Sequence, residues 1–179
     1  MKKSFYLLVL LVVPSIASAQ EHHSPYAGEE QREIKALSPD EVRGYLAGEG
    51  LGLAKAAEIN GYPGPLHVLQ LAEQLHLTEA EKADTEQVRD VMLRAATRLG
   101  KLIVEKESEL DKLFAGRKID EAQLRSLVGV ISNLQGELRT VHLQAHLAMI
   151  RVLMSEQINR YAELRGYQGV GAQHEGHPQ

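Results

Sequence analysis

Two histidines spaced four residues apart are the strongest candidates for chemistry in this sequence. His142 and His146 fall in a stretch with a helical pattern, so their side chains should lie on successive turns of one face. Imidazoles at this spacing chelate Zn, Cu or Ni ions, and Met149 could add a thioether ligand three residues further on. Because two ligands hold a divalent ion weakly, a third would come from His67, an acid on the first long helix, or a partner chain. The alternative is that His142 borders the core and His146 is solvated.

Histidines near both ends of the chain offer looser metal sites. Cleavage after Ala19 would make His22 the third residue, a position that binds Cu²⁺ or Ni²⁺ when the N-terminal amine of Gln20 stays free. His174 and His177 could hold metal at the other end. The alternative for both ends is a solvated polar terminus.

A series of cations lies along the helix that we predict over residues 78–115. The four candidates for binding a client protein recur at steps of three to five residues: Arg89, Arg94, Arg98 and Lys101. Beside apolar side chains they would form a shallow surface that attracts flexible or acidic chains, to which their stems add apolar contact. The alternative is that the cations pair with acids of the same helix, namely Glu86, Asp90, Glu105 and Glu109.

Composition excludes several classes of function. The 179 residues include no cysteine, so there is no disulfide, thiolate metal site or cysteine nucleophile. No phosphate-binding loop and no Gly-x-Ser-x-Gly elbow occurs, so we expect neither a nucleotide cofactor nor an enzyme. The formal net charge of −4 argues against nucleic acid as a partner, since that requires a basic face.

Residues 1–19 have the layout of a secretory signal peptide. Lys2 and Lys3 precede an apolar run over 5–13, and Ala17-Ser18-Ala19 forms a small-x-small cleavage site. We expect cleavage after Ala19 and a periplasmic protein with a net charge of −6, because the removed segment holds two lysines and no acid.

Three further regions follow the signal peptide. Residues 20–37 are polar and predict a flexible arm, residues 38–166 a helical domain, and residues 167–179 a disordered tail that contains histidine. Ser38-Pro39 begins a short helix, and 66–75 reads as a compact second one.

Two long helices dominate the predicted domain. Thr78 and Glu81 form a capping box that opens a helix to about Ala115, with Gly116 as its stop, and Asp120 caps a second helix to about 153. The short linker predicts an antiparallel hairpin, and Ser155 would cap a last short helix. The expected apolar stripe of the first helix is Val88, Val91, Met92, Ala95, Leu99, Leu102, Lys106, Leu110 and Leu113, and Leu124, Leu127, Val128, Ile131, Leu134 and Leu138 begin that of the second.

The apolar pattern of the second long helix predicts an oligomer rather than a monomer. Beyond Leu138 it becomes apolar on more than one side, since Leu143, Leu147 and Ile150 lie off the main stripe. This extra face must meet the flanking helices or a second chain, and a two-fold homodimer is the simplest closed solution.

The order of these segments resembles the Spy/CpxP periplasmic chaperone superfamily, which is marked by a repeated Leu-Thr-x-x-Gln. The corresponding segments here are Leu77-Thr78-Glu79-Ala80-Glu81 and Leu153-Met154-Ser155-Glu156-Gln157. The segments 60–69 and 161–167 are similar to the heavy-metal sensor and zinc-resistance branch of that superfamily. In that branch the ligands resemble His-x-x-x-His and His-x-x-x-Met; His67 and Met149 match, whereas Leu71 and Ala145 stand where histidines would be.

The resemblance implies an exported helical stress-response protein that binds divalent metal, unfolded periplasmic clients, or both, without ATP. The alternative is a periplasmic metal-sensing subunit that signals to a membrane partner and has no chaperone activity.

Overall fold

The structure, a computed structural model that describes residues 24–167, is all-helical and dominated by two long helices, as predicted. Its α-helices are α1 (Pro39–Ala47), α2 (Lys55–Glu58), α3 (Pro65–Gln70), α4 (Glu79–Ala115), α5 (Glu121–Val152) and α6 (Ser155–Leu164). No strand occurs between residues 24 and 167. Over the same range, no helix combines the length and apolar character that crossing a membrane requires. The predicted signal peptide, its cleavage site and the tail beyond Tyr167 lie outside the described residues.

The chain divides between Glu30 and Gln31 into two units. In the first unit, residues 24–30 form turns in which the amides of Ala27 and Glu29 each donate to a carbonyl three residues earlier. The second unit holds all six α-helices.

The starts of the main helices follow the predicted capping chemistry. The hydroxyls of Ser38 and Thr78 accept from the amides of Glu41 and Glu81, and each glutamate accepts in return from the amide of its cap residue. Asp120 and Gln123 form the same reciprocal pair at the start of α5. These bonds satisfy amides that would otherwise have no partner, so they fix where each helix begins.

The two long helices pack together along an apolar seam. Ala96, Leu99 and Ile103 of α4 surround Leu138 of α5, and all four side chains are buried. Tyr45, Leu53, Leu134 and Val141 lie against this cluster.

A second core lies where α3 and α6 meet the end of α5. Its buried members are Val68, Leu75, Leu77, Met149, Leu153 and Tyr161. The side-chain amide of Gln157 in α6 donates to Glu81 Oε2 (3.2 Å) and to the Leu75 carbonyl (3.4 Å). The first turn of α6 is therefore bonded to the first turn of α4.

Part of the segment predicted to be a flexible arm is packed against the helical unit. Ile34 and Leu37 are buried, and the amide and ammonium of Lys35 both donate to Asp111 at 3.2 Å. The apolar side chains in this polar stretch are few, which explains why composition alone indicated disorder.

The predicted stripe of α4 was wrong in detail. Val91 is 54 % exposed, whereas Ala96, Gly100 and Ile103, which lie off that stripe, are buried. A single stripe assumes one packing partner, but α4 contacts both α1 and α5. The face of α4 toward α1 was therefore missed. On α5, Val128 is likewise exposed.

Two predicted boundaries also need correction. Helix α3 ends at Gln70 and is followed by turns up to His76. Met154 is the cap of α6, with its amide donating to Gln157 Oε1, while Ser155 is the first helical residue. Helix α4 stops at Ala115 with Gly116 as its C-cap, as predicted. The left-handed residue of the linker is Arg117 (φ 51°).

Gly100 allows α1 and α4 to approach at backbone distance. A Cβ at this position would collide with the carbonyl group of Tyr45 in α1. Because the colliding atoms belong to the backbone, rotation of a side chain does not relieve the clash. The contact explains why a glycine, which weakens a helix interior, lies in the middle of α4.

We expect Gly100→Ala to lower the free energy of unfolding by about 2–3 kcal/mol, the range of a forced overpacking. The matched control is Gly129→Ala in α5, where a Cβ meets nothing within 4 Å. That change should raise stability by about 0.5–1 kcal/mol, because alanine favours the helix. Urea unfolding followed by circular dichroism measures both. Similar changes in the two variants would contradict the close approach.

Candidate polar site around Glu58

The carboxylate of Glu58 is the centre of a cluster of polar side chains. Glu58 is the last residue of α2, and its side chain is only 12 % exposed. Its Oε1 accepts from the hydroxyl of Tyr161 (2.6 Å), the hydroxyl of Tyr167 (3.2 Å) and Nε of Arg165 (3.3 Å). Three donors from α6 and the residues after it therefore converge on one oxygen.

Two of the predicted metal ligands lie against this carboxylate. Nδ1 of His67 is 3.7 Å from Glu58 Oε1, and Nδ1 of His146 is 3.7 Å from Oε2. Nδ1 of His146 also lies 2.7 Å from the carbonyl oxygen of Tyr62. Because a carbonyl only accepts, Nδ1 of His146 carries the hydrogen, and its Nε2 keeps a free lone pair.

Because Gly64 has no side chain, there is space beside its Cα, and two acceptor atoms border that space. A Cβ on Gly64 would lie 3.2 Å from Nε2 of His146 and 3.3 Å from Oε2 of Glu58. Oε2 is buried and has no hydrogen-bond partner among the described residues. The amide of Gly64 donates to the hydroxyl of Tyr161 (3.3 Å), which fixes the glycine beside the cluster.

His142 lies one turn before His146 and is almost fully buried, at 3 % exposure. Its Nε2 has no hydrogen-bond partner within residues 24–167. Burial lowers the pKa of His142, and the neighbouring His146 lowers it further. The imidazole is therefore held neutral.

Burial also shifts the pKa of other members of the cluster. It lowers the pKa of His67, with a further decrease from Arg165 that Glu58 opposes. It raises the pKa of Tyr161, and the hydrogen bond that Tyr161 donates to Glu58 adds to the effect. A neutral imidazole is the form that binds a metal ion, so these shifts favour ligation near neutral pH.

The structure brings together only part of the predicted ligand set. His67 and His146 meet at Glu58, and the alternative that His146 is solvated is wrong, since it is buried. Met149 lies fully buried in the apolar core with Val68 and Leu75. Within the described part of the chain, no three His, Cys, Asp or Glu side chains have the arrangement that holds a metal ion.

Sequence reasoning missed Glu58 as the centre of the cluster. The available signal was an isolated acid just before the Gly61-Tyr62-Pro63-Gly64-Pro65 turn, followed by His67. Tyr167, predicted to begin a disordered tail, instead donates to Glu58 and bonds through its amide to the Ala162 carbonyl.

A second candidate surface lies on α4 and contains three of the four predicted client-binding cations. Arg94, Arg98 and Lys101 line a mainly apolar depression with Leu93, Thr97 and Leu102. None of the three cations has an ion-pair partner among the described residues. Arg89 lies apart from them, with its guanidinium 4.0 Å from Asp90.

Apart from the contact of Arg89 with Asp90, the predicted pairing of cations with acids of the same helix occurs at other positions. Lys82 pairs with Glu79 and Lys106 with Glu109, both at 2.8 Å. The three cations that line the depression are left to interact with solvent or a partner.

Comparison with protein-family models, with curated proteins and with solved structures found no match to this chain.

We expect the protein to lose stability as the pH falls below about 6.5. The folded-state pKa of His142 lies below its ordinary value, so the unfolded state binds more protons over this interval, and stability present at neutral pH is lost on acidification. His142→Gln should show a smaller loss between pH 7.5 and 5.5, measured as the urea midpoint in the presence of a chelator.

The control for this experiment is His76→Asn. His76 is exposed and has a left-handed backbone (φ 52°), which asparagine tolerates. This variant should follow the wild-type pH dependence. If His142→Gln loses as much stability on acidification as the wild type does, the buried imidazole is not the source of the pH dependence.

Proposed function

We propose that this chain is an exported helical stress-response protein of the metal-sensor and chaperone type, which holds unfolded clients without ATP. The observation that carries the proposal is the surface of α4 at which Arg94, Arg98 and Lys101 lack ion-pair partners in the described chain and lie beside Leu93 and Leu102. Cations without partners attract flexible or acidic chains, and the leucines and the cation stems add weak apolar contact.

Weak and exposed contacts suit a holding function. Charge contacts of this kind contribute roughly 0.2–1 kcal/mol each. A client would therefore bind and dissociate quickly, and its release would need no energy source. The sequence contains no nucleotide-binding motif, in keeping with that mechanism.

The same proposal includes an antiparallel hairpin that pairs with a second copy. Val88, early in α4, packs in one cluster with Met149, late in α5, while Leu99 meets Leu138. This order of contacts supports the antiparallel arrangement. Leu147 (55 % exposed) and Ile150 (37 % exposed) leave an apolar edge on α5, which supports a homodimer.

The test is suppression of aggregation of a chemically reduced model client by stoichiometric mature protein, followed by light scattering. We expect suppression without nucleotide. The triple variant Arg94→Gln, Arg98→Gln, Lys101→Gln should bind the client about tenfold more weakly, because three charge contacts of about 0.5 kcal/mol each are lost.

The matched control removes three cations that already pair with acids: Lys82→Gln, Lys106→Gln and Arg125→Gln. It has the same net charge as the test variant and should keep the wild-type activity. Equal losses of client binding in the two triple variants would show that the effect depends only on net charge. No suppression by the wild-type protein, with or without metal, would reject the chaperone function.

We propose as a second function that the cluster around Glu58 binds Zn, Cu or Ni. The supporting observation is that Nε2 of His146 and Oε2 of Glu58 border the same point beside Gly64, with His67 on the other carboxylate oxygen. Oε2 accepts no hydrogen bond from the described residues. The carbonyl of Tyr62 would fix the ring of His146, as outer-shell acceptors do in metal sites. His142, one turn away, is the alternative second imidazole.

Metal binding would draw this cluster inward. The 3.7 Å between Nδ1 of His67 and Oε1 of Glu58 exceeds the roughly 3.3–3.5 Å expected between tetrahedral ligands about 2.1 Å from an ion. If the chain binds metal but holds no client, the alternative function of a metal-sensing subunit that signals to a membrane partner gains support.

Calorimetric titration of the mature protein with each metal tests this site. We expect Gly64→Ala, which fills the space without removing a ligand, and His67→Gln each to weaken binding at least tenfold. Affinity should fall as the pH drops below about 6.5, because burial lowers the pKa of His67 from its ordinary value. The control lacks residues 20–23 and 168–179 and should bind like the parent. If that truncation abolishes binding while Gly64→Ala does not, the metal belongs to the termini.

A further inference from the structure

The last turn of α4 and the first residues after it combine an exposed aromatic ring with three cations. Residues 112–118 contain Lys112, Arg117 and Lys118 and no acid. All three cations are exposed, and the ring of Phe114 between them is 52 % exposed. An exposed phenylalanine costs free energy in water, so its position among cations calls for an explanation.

The acids nearest to this connection are already engaged. Glu109 pairs with Lys106, Asp111 with Lys35, and Glu121 with Arg125. The carboxylate of Asp120 accepts from the amide of Gln123 at the start of α5. Lys112, Arg117 and Lys118 have no ion-pair partner within residues 24–167.

Favourable interaction with the helix dipole explains only part of this pattern. Cations at the end of α4 complement the partial negative charge of its last carbonyls. That interaction requires no exposed ring, and Phe114 is not part of either core cluster. A ring beside cations suits a charged interface between water and lipid, where the ring leaves water and the cations meet phosphates.

We propose that residues 112–118, the last turn of α4 and the start of its connection to α5, bind the surface of an anionic phospholipid bilayer. Phe114 enters the boundary between headgroups and acyl chains, and Lys112, Arg117 and Lys118 contact the phosphates. Ala115 and Gly116, next to the ring, are small and exposed, so lipid headgroups approach the backbone closely there. The aliphatic stems of the lysines allow their ammonium groups to remain in the aqueous layer.

A bilayer fits this surface better than an acidic protein does. The three cations and the ring lie within seven residues around a turn, and a fluid layer of anionic headgroups adapts to such a small surface without a shaped pocket. Each cation near an anionic surface strengthens binding about fivefold, so the three together supply a factor of about 100. This binding rests on residues other than those of the Glu58 cluster and the client surface, so it stands or falls independently of both.

The absence of tryptophan from the sequence makes a direct test possible. Phe114→Trp places a single fluorescent reporter at the proposed contact in the full-length mature protein. With vesicles of phosphatidylglycerol and phosphatidylcholine, we expect a blue shift of its emission that high salt reverses, and no shift with phosphatidylcholine alone. Val91→Trp, at an equally exposed position of α4, is the matched reporter and should not shift.

Charge variants decide whether these cations are responsible. In the Phe114→Trp background, Lys112→Gln, Arg117→Asn and Lys118→Gln together should weaken vesicle binding about 100-fold; asparagine is chosen because Arg117 has a left-handed backbone. Arg94→Gln, Arg98→Gln and Lys101→Gln, an equal change in charge, should leave it within about threefold. Circular dichroism checks that each variant remains helical.

Three results would overturn the proposal. One is the absence of a blue shift with anionic vesicles. Another is an equal loss of binding in the two triple variants, which would make attraction to lipid a property of net charge. The last is a Phe114→Trp shift on adding polyaspartate but not vesicles, which would assign the connection to an acidic protein partner.

Discussion

The carboxylate of Glu58 joins the shortest helix of the domain to its last one, because Tyr161, Arg165 and Tyr167 all donate to the same oxygen. This convergence fixes the end of the described chain against α2. It also leaves the second oxygen without a donor among the described residues, beside His146. One oxygen of Glu58 therefore holds the helices together, while the other is a candidate metal ligand. Because both belong to one carboxylate, a movement of either oxygen displaces the other.

Two further contacts extend from this constraint to the long helices. Gln157, in the first turn of α6, bonds to Glu81 in the first turn of α4, so the two capping segments hold each other in place. At the middle of α4, Gly100 allows the backbone of α1 to approach closely. Helix α4 is thus held at its start and at its centre, while its last turns and the connection to α5 extend beyond the main core clusters.

The three candidate surfaces of the protein depend on different residues. The cluster around Glu58 uses imidazoles beside a carboxylate. The surface of α4 uses cations that the described fold leaves without ion-pair partners, and residues 112–118 add an exposed ring. Because the charges of α4 lie outside the apolar cores, the fold tolerates their removal, and each surface responds to its own set of substitutions.

The sequence alone determined the all-helical fold, the bounds of α4 and α5 to within one residue, and the capping boxes, because these depend on local hydrogen bonds and on periodicity. It also identified His67 and His146 and three cations of the α4 surface as candidates. Only the tertiary structure decided that Glu58 lies between the histidines, that Met149 is core, and that Val91 is exposed whereas Gly100 is buried. The physical reason is that α4 packs on more than one neighbouring helix, and that the donors to Glu58 lie more than 100 residues away along the chain. Neither fact has a local signature in the sequence.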